Sequence, residues 1–152
     1  MLKGIPPILT PELLKVLMEM GHGDELLLAD GNYPRSGHPK RVIRCDGQGI
    51  PQLLDAIMQF MPLDTYVENP IIFMAVVNGD ENMALRNNGK AYEPTIWNEY
   101  REIIGKHEKT GARDTAIERH AFYARAREAY AAVTTSETAL YANVILKKGV
   151  II

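Results

Sequence analysis

A short apolar run near the N-terminus sets the strongest constraint on the fold. Residues 25–30 read ELLLAD, lie between Gly23 and Gly31, and are hydrophobic at nearly every position. A strand with one solvated face alternates apolar and polar residues, whereas a strand buried on both faces is continuously apolar. The run therefore predicts a central β-strand that is covered on both of its faces.

Helix-like and strand-like segments alternate along the rest of the chain. Besides the first strand, apolar spacing and breaker residues predict helices over residues 10–21, 50–62, 94–107 and 120–130, and strands over 41–45, 71–77, 131–135 and 143–146. Residues 80–92 are polar and are expected to form a mobile surface segment. The alternation predicts an α/β fold, a single domain over residues 1–152 that forms an α/β sandwich with a central, largely parallel sheet covered by helices.

The composition excludes several classes of function. The 152 residues include 17 Lys and Arg against 19 Asp and Glu, so no charge excess draws the chain to nucleic acid or to a membrane surface. The longest apolar runs fall short of the ~20 residues that a membrane span needs. The first residues, MLKGIPP, show no export signal, and the single cysteine, Cys45, can form neither an internal disulfide nor a cysteine-based metal site. We therefore expect a cytoplasmic protein.

Two residues that flank the first predicted strand are candidates for chemistry. His22 follows the first helix, whose dipole favours an imidazolium there, and Asp24 or Glu25 could hydrogen-bond it. Its alternative role is a polar helix C-cap. Asp30 ends the strand, where α/β sheets bind ligands, and could hold a sugar hydroxyl or act as a base, or simply form a turn before Gly31. The spacing leaves open whether the two residues are near one pocket or at its opposite ends.

A second set of candidates lies in the C-terminal third of the chain. Arg119 and Tyr123 are four residues apart at the start of the fourth predicted helix and share a face, with His120 between them. Alternatively, Tyr123 packs in the core while Arg119 forms a surface ion pair. Tyr141 and Asn143 precede the last strand, where a phenol and an amide could bind a polyol, although loop asparagines commonly form turns.

Other chemical signals are absent from the sequence. It contains no glycine-rich phosphate loop, no paired histidine or cysteine ligand motif and no nucleophile elbow, so we predict neither a metal nor a cofactor. His38 has no obvious partner in the sequence. His107 and Lys109 fall in a charged loop, over residues 106–113, and are expected to be solvated.

Seven segments, in order along essentially the whole chain, follow the pattern of one family. They are TPELL at 10–14, MGHGDE at 20–25, IRCDG at 43–47, LDTYVE at 63–68, PTIWNEY at 94–100, IERHAFYAR at 117–125 and YANVILKKG at 141–149. Together they resemble the ribose pyranase–fucose mutarotase family. The resemblance is closest to its L-fucose mutarotase branch, because that branch carries arginine where Arg119 stands, whereas ribose pyranases tend to have histidine.

The resemblance implies a fold, an activity and roles for the candidate residues. It implies an α/β sandwich and a cofactor-free, metal-free isomerase that interconverts the α and β anomers of a free monosaccharide. The residue matching His22 is then the acid/base. The resemblance implies that the residues matching Asp30, Arg119, Tyr141 and Asn143 bind the sugar, and we add His120 and Tyr123 as candidate contacts. It also implies homo-oligomers, often decameric rings, in which a neighbouring subunit completes the site.

The substrate and one catalytic partner stay open at this point. The chain departs from the L-fucose branch at His120, Ser136 and Ala142, and an imidazole at His120 could donate to a hydroxyl that L-fucose lacks. Pyranose–furanose exchange of ribose, another aldose, or a sugar-binding or regulatory protein without turnover are the alternatives. We expect His22 to protonate the ring oxygen, and three residues are candidates for its counterpart: Tyr123, Tyr141 and Asp30.

Overall fold

The computed structural model describes residues 2–77, 94–108 and 111–151. Within them lie four α-helices, α1 (Pro11–Glu19), α2 (Ile50–Met58), α3 (Thr95–His107) and α4 (Arg119–Glu128). The strands are β1 (Glu25–Ala29), β2 (Val42–Cys45), β3 (Ile71–Met74), β4 (Asp114–Ile117), β5 (Ala131–Thr135) and β6 (Val144–Lys147), and a 3₁₀ turn covers Arg35–Gly37. The predicted surface segment at 80–92 and Lys109 lie outside the described residues.

The six strands form one sheet in the order β2-β5-β1-β6-β3-β4. β1 lies in the interior of the sheet, pairing with β5 in parallel and with β6 antiparallel. β2 is parallel to β5, and β3 is parallel to β4 and antiparallel to β6. Five strands therefore run in one direction and β6 alone runs against them, which confirms the prediction of a central, largely parallel sheet.

The apolar run of β1 packs into two separate cores. Leu26 and Leu28 are fully buried against the helices on one face of the sheet, α1, α2 and α3. Leu27 and Ala29 point to the other face and pack with Phe122 of α4. Burial of each leucine side chain stabilises the fold by roughly 1.5–3 kcal/mol, so the leucines on both faces of β1 contribute to stability. The predicted strand that is covered on both faces, and the α/β sandwich that follows from it, are confirmed.

The turn after α1 is held by local polar contacts. Thr10 caps the start of the helix, with its hydroxyl oxygen accepting from the backbone N–H of Leu13 at 3.2 Å, as the sequence predicts. At the far end the Asp24 carboxylate accepts from the N–H of Gly21 at 2.7 Å, and Gly23 adopts a positive φ of 87°. The turn fixes the backbone on both sides of His22, immediately before β1.

The structure contains one strand that the sequence did not predict, and it overturns one sequence prediction. The unpredicted element is β4, a four-residue edge strand whose side chains are only partly buried and follow no clear apolar pattern. Helix α4 follows at Arg119, with Glu118 as its N-cap, within one residue of the predicted start. The prediction that His107 is solvated is wrong. The His107 Nε2 lies 2.8 Å from the Asp55 carboxylate, a contact that joins α3 to α2.

Candidate active site

One edge of the sheet collects most of the candidate residues. Asp30 follows β1, and Asn143 precedes the antiparallel β6, so the two meet at the same edge. The carboxyl ends of β2, β3, β4 and β5 reach this edge too, and β4 leads into α4, whose N-terminal half carries Arg119 and Tyr123. This is the edge at which α/β proteins bind ligands.

Asp30 and Asn143 form the centre of this cluster. The Asn143 side chain accepts from the backbone N–H of Asp30 at 2.8 Å and donates to its carboxylate at 2.6 Å. Burial raises the pKa of Asp30, and the nearby Glu137 carboxylate adds to that, against hydrogen bonds from Asn32 and Asn143. The result is a fixed, partly buried carboxyl group with a raised pKa, which suits proton exchange with a hydroxyl group.

Tyr141 adopts a strained backbone conformation beside this pair. Its φ of 58° is positive, which costs a non-glycine residue of order 1–3 kcal/mol. Two aromatic side chains of α3 hold the segment in place. Trp97 Nε1 donates to the Tyr141 carbonyl at 2.8 Å, and the Tyr100 hydroxyl donates to the carbonyl of Ala142 at 2.9 Å. Ala142 itself is fully buried with a negative φ, so an alanine at this position costs no backbone strain.

Tyr123 connects α4 to the cluster. Burial raises the pKa of its phenol, Arg119 opposes the shift, and the nearby Asp30 and Tyr141 reinforce it. The phenol therefore stays protonated and can donate a hydrogen bond. His120 is exposed on the same helix, with its ring centroid 6.4 Å from that of Tyr123. The structure thus brings together the candidate residues of the C-terminal third with Asp30.

A cleft of about 920 Å³ opens next to Asp30 along the ends of β2 and β5. Its lining includes Tyr33, His38 and Arg44. The Tyr33 ring stands edge-on to Tyr123, with centroids 5.5 Å apart. The His38 ring packs edge-on against Tyr33, with centroids 5.1 Å apart, while its buried Nδ1 has no hydrogen-bond partner among the described residues. The cleft is large enough for a monosaccharide.

His22 lies at the opposite edge of the sheet, where it contacts Asp64. Its Nε2 is 3.1 Å from the Asp64 carboxylate, which is only 3% exposed. Burial raises the pKa of Asp64, but the N–H of Tyr66 and the His22 imidazole outweigh it and hold the pKa below its usual range. The carboxylate therefore stays ionised and orients the ring with Nδ1 facing away from it.

The expected partners of His22 are engaged elsewhere. Asp24 caps the turn at Gly21, and Glu25 forms an ion pair with Arg125 and Lys147 on the α4 face of the sheet. The prediction that either would bind the imidazole is wrong for this structure. Asp64 was missed because it is 42 positions away along the chain. One signal in the sequence could have pointed to Asp64. It lies in the LDTYVE segment at 63–68, one of the seven segments that resemble the family, but none of the residues of that segment was given a role.

His22 and Asp30 do not share a pocket within one chain. They flank β1, whose five residues alone span about 13 Å at ~3.3 Å per residue. The partners confirm the separation, because Asn143 precedes β6 whereas the His22 turn binds the residue after it: the N–H of Gly23 donates to the Lys148 carbonyl at 2.8 Å. The sequence spacing left open whether His22 and Asp30 lie near one pocket or at opposite ends. Within one chain they lie at opposite ends of β1.

Residues 2–77, 94–108 and 111–151 contain neither a cluster of metal-ligating side chains nor a membrane-spanning helix. In that part of the chain no group of three or more His, Cys, Asp or Glu side chains is placed to hold a metal ion. Over the same residues, no helix has the length and apolar character needed to cross a bilayer.

Comparison with known proteins connects this arrangement to one family. The sequence profile of the RbsD / FucU transport protein family matches residues 3–151. The chain is 47% identical to the fucose mutarotase of Homo sapiens, covering 99% of this chain and 94% of that one, and 45% identical to the L-fucose mutarotase of Actinobacillus pleuropneumoniae, covering 99% and 97%.

Solved structures agree with the sequence comparison. The fucose mutarotase of Streptococcus pneumoniae, in complex with L-fucose, superposes with a TM-score of 0.85 at 50% identity, covering 99% of this chain and all of that one. RbsD of Bacillus subtilis, in complex with D-ribose, gives a TM-score of 0.67 at 19% identity over 95% of each chain, which supports the fold alone. By sequence over nearly its full length, the chain belongs to the RbsD / FucU family.

Proposed function

We propose that this protein is an isomerase that interconverts the α and β anomers of L-fucose. The observation that carries the proposal is its 50% identity, over 99% of the chain, to a fucose mutarotase solved with L-fucose. The site chemistry supports it. Asp30, Asn143 and Tyr123 offer a carboxyl, an amide and a phenol in one cluster, and Asp30 also lines the adjacent cleft, which suits a neutral polyol.

Mutarotation requires one proton to be added and another removed. In the proposed mechanism His22 donates a proton to the ring oxygen while a base removes the proton of the anomeric hydroxyl, and the bond between the anomeric carbon and the ring oxygen breaks. Rotation of the resulting aldehyde and reversal of both transfers close the ring as the other anomer. A positioned acid–base pair of this kind contributes roughly 10²–10⁴ in rate.

Among the candidate bases we favour Asp30. Its raised pKa makes it a stronger base than an ordinary carboxylate, and its second oxygen is fixed by Asn143. Tyr123 is suited to the opposite task, since its raised pKa keeps the phenol protonated as a donor to a sugar oxygen. We assign Arg119, His120, Tyr141 and Asn143 to sugar binding around Asp30.

The proposed acid comes from a second copy of the chain. His22 and Asp30 are separated by the length of β1, so one chain cannot place both on one sugar. A homo-oligomer, such as the decameric ring that the family resemblance implies, can bring His22 of one copy to Asp30 of the next. We place the reaction in the cytoplasm, in keeping with the free, buried thiol of Cys45.

Saturation-transfer NMR on L-fucose tests the activity and the role of His22. We expect His22→Ala to lower the anomer exchange rate by about 10²-fold or more. His107→Ala is the matched control, because it removes another imidazole–carboxylate contact, with Asp55, outside the proposed site. A folded His22→Ala variant that exchanges L-fucose at the wild-type rate would remove His22 from the mechanism.

Mixing two inactive variants tests the shared site. If copies exchange after mild dissociation, an equal mixture of His22→Ala and Asp30→Asn should regain about a quarter of wild-type activity, since each site draws one residue from each of two copies. No recovery after verified subunit exchange argues against a shared site.

A panel of sugars separates the alternatives. Exchange of ribose between pyranose and furanose forms, without exchange of L-fucose, would move the activity to another aldose. Saturable binding of a sugar without exchange would make the protein a binding module.

A further inference from the structure

The surface around His22 carries an exposed aromatic ring that the proposed mechanism does not use. Tyr66 is 73% exposed, and its ring centroid lies 5.5 Å from that of His22 at an interplanar angle of 54°. We propose that the Tyr66 ring is a specificity-determining contact that packs against the apolar C–H face and methyl group of the sugar. This inference rests on the proposed function and deepens it.

The backbone of Tyr66 fixes the ring relative to the proposed acid. Its N–H donates at 2.9 Å to the same Asp64 carboxylate oxygen that contacts His22 Nε2. Backbone and side chain thus have separate tasks: the N–H holds Asp64, and the ring projects beside the imidazole. A sugar that receives a proton from the outward-facing His22 Nδ1 is therefore within reach of the ring.

The chemistry of a 6-deoxyhexose matches such a ring. One face of its pyranose is lined by C–H groups, and its methyl group is wholly apolar, so hydrogen-bonding residues recognise neither. Aromatic rings supply large apolar area at low cost in side-chain entropy, and sugar sites combine them with a few fixed polar groups. The Asp30 cluster also contains tyrosine rings, but we assign the Tyr123 phenol to a hydrogen bond with a sugar oxygen, and the exposed Tyr66 ring gives the His22 side its own apolar surface.

Two sugars that differ only in the methyl group give the sharpest experiment. D-Arabinose has the ring hydroxyl configuration of L-fucose with a hydrogen in place of the methyl. We expect Tyr66→Ala to raise the KM for L-fucose exchange about 10-fold and that for D-arabinose less than about 3-fold, with kcat retained because the backbone N–H still holds Asp64. Tyr66→Phe keeps the ring and should restore wild-type KM, and Tyr66→Leu should be intermediate.

Phe60→Ala provides the control, because it removes another exposed aromatic ring, at the end of α2. An unchanged L-fucose KM in Tyr66→Ala, with the wild type active, overturns this inference alone. So does an equal loss of kcat on both sugars accompanied by a smaller oligomer in light scattering, which would assign the ring to packing between copies. A wild-type protein that exchanges no aldose overturns the proposed function and this inference together.

Discussion

Gly149 is the residue whose replacement should most clearly connect the fold to the proposed acid. It follows β6 and passes directly over the segment that carries Asp64, with its N–H donating to the Pro62 carbonyl at 2.8 Å. A Cβ added at Gly149 would press on the carbonyl of Leu63, 2.7 Å from its carbon and 2.9 Å from Cα of Asp64. Backbone atoms cannot rotate away as a side chain can, so Gly149→Ala must displace the segment.

The size of that displacement follows from the distances. Ordinary van der Waals contact begins at 3.4 Å, and the carbonyl oxygen of Leu63 is nearer still than its carbon, so the two segments must separate by at least about 0.7 Å. A shift of that size along the contact between His22 and Asp64 would lengthen it from 3.1 Å to about 3.8 Å, beyond hydrogen-bonding range. We expect an overpacking cost of about 1–3 kcal/mol and a loss of about 10²-fold in exchange rate.

Urea unfolding and saturation-transfer NMR measure the two effects. Gly105→Ala is the matched control, since Gly105 lies within α3 and an added Cβ there meets no atom within 4 Å. It should raise the free energy of unfolding by about 0.5–1 kcal/mol and leave exchange unchanged. A Gly149→Ala variant with wild-type stability and wild-type exchange would refute the claim that this close approach positions Asp64.

Two further variants probe the two ends of β1. Asn143→Ala removes both hydrogen bonds to Asp30, leaving its N–H unpaired, and should lower the free energy of unfolding by about 2–4 kcal/mol in urea titrations while raising the KM for sugar. Asp64→Asn should destabilise the protein at pH 7, because the native pKa of Asp64 lies below its ordinary value of 3.8. A lowered pKa gives stability that is fully present above the unfolded value of 3.8 and is lost as pH falls through the native pKa, so the unfolding curves of variant and wild type should converge only as the pH falls below 3.8 and through that native pKa.

The centre of the fold could be predicted from the sequence because one physical cause determines it. The leucines of β1 face alternate sides of the sheet, and all of them are buried only if both faces of the strand are covered. β4 gave no such signal. It is a four-residue edge strand with partly buried side chains, anchored from outside by an ion pair between Arg101 and Asp114 at 2.8 Å. Because β4 is held by pairing with β3 and by this ion pair, its own residues need no alternation of apolar and polar side chains.

The candidate site likewise has a part that the sequence could indicate and a part that depends on the fold. Asp30 and Asn143 could be found singly, as polar residues at strand ends, but their pairing depends on the antiparallel register of β1 and β6. The partner of His22 could not be found from local sequence, because Asp24 and Glu25 are nearer along the chain than Asp64. The turn geometry and the ion pair with Arg125 take those two carboxylates, leaving the imidazole to a third.

The reversed direction of β6 explains how one strand serves both halves of the proposed site. Because β6 runs against β1, it begins where β1 ends and places Asn143 on Asp30. It ends where β1 begins, so Lys148 binds the His22 turn and the backbone of Lys147 accepts from the N–H of Asp64 at 3.0 Å. A slip of one residue between β1 and β6 would invert the faces of the core strand and misplace both halves at once. The register that buries the leucines is therefore the same register that positions the proposed acid and the proposed base.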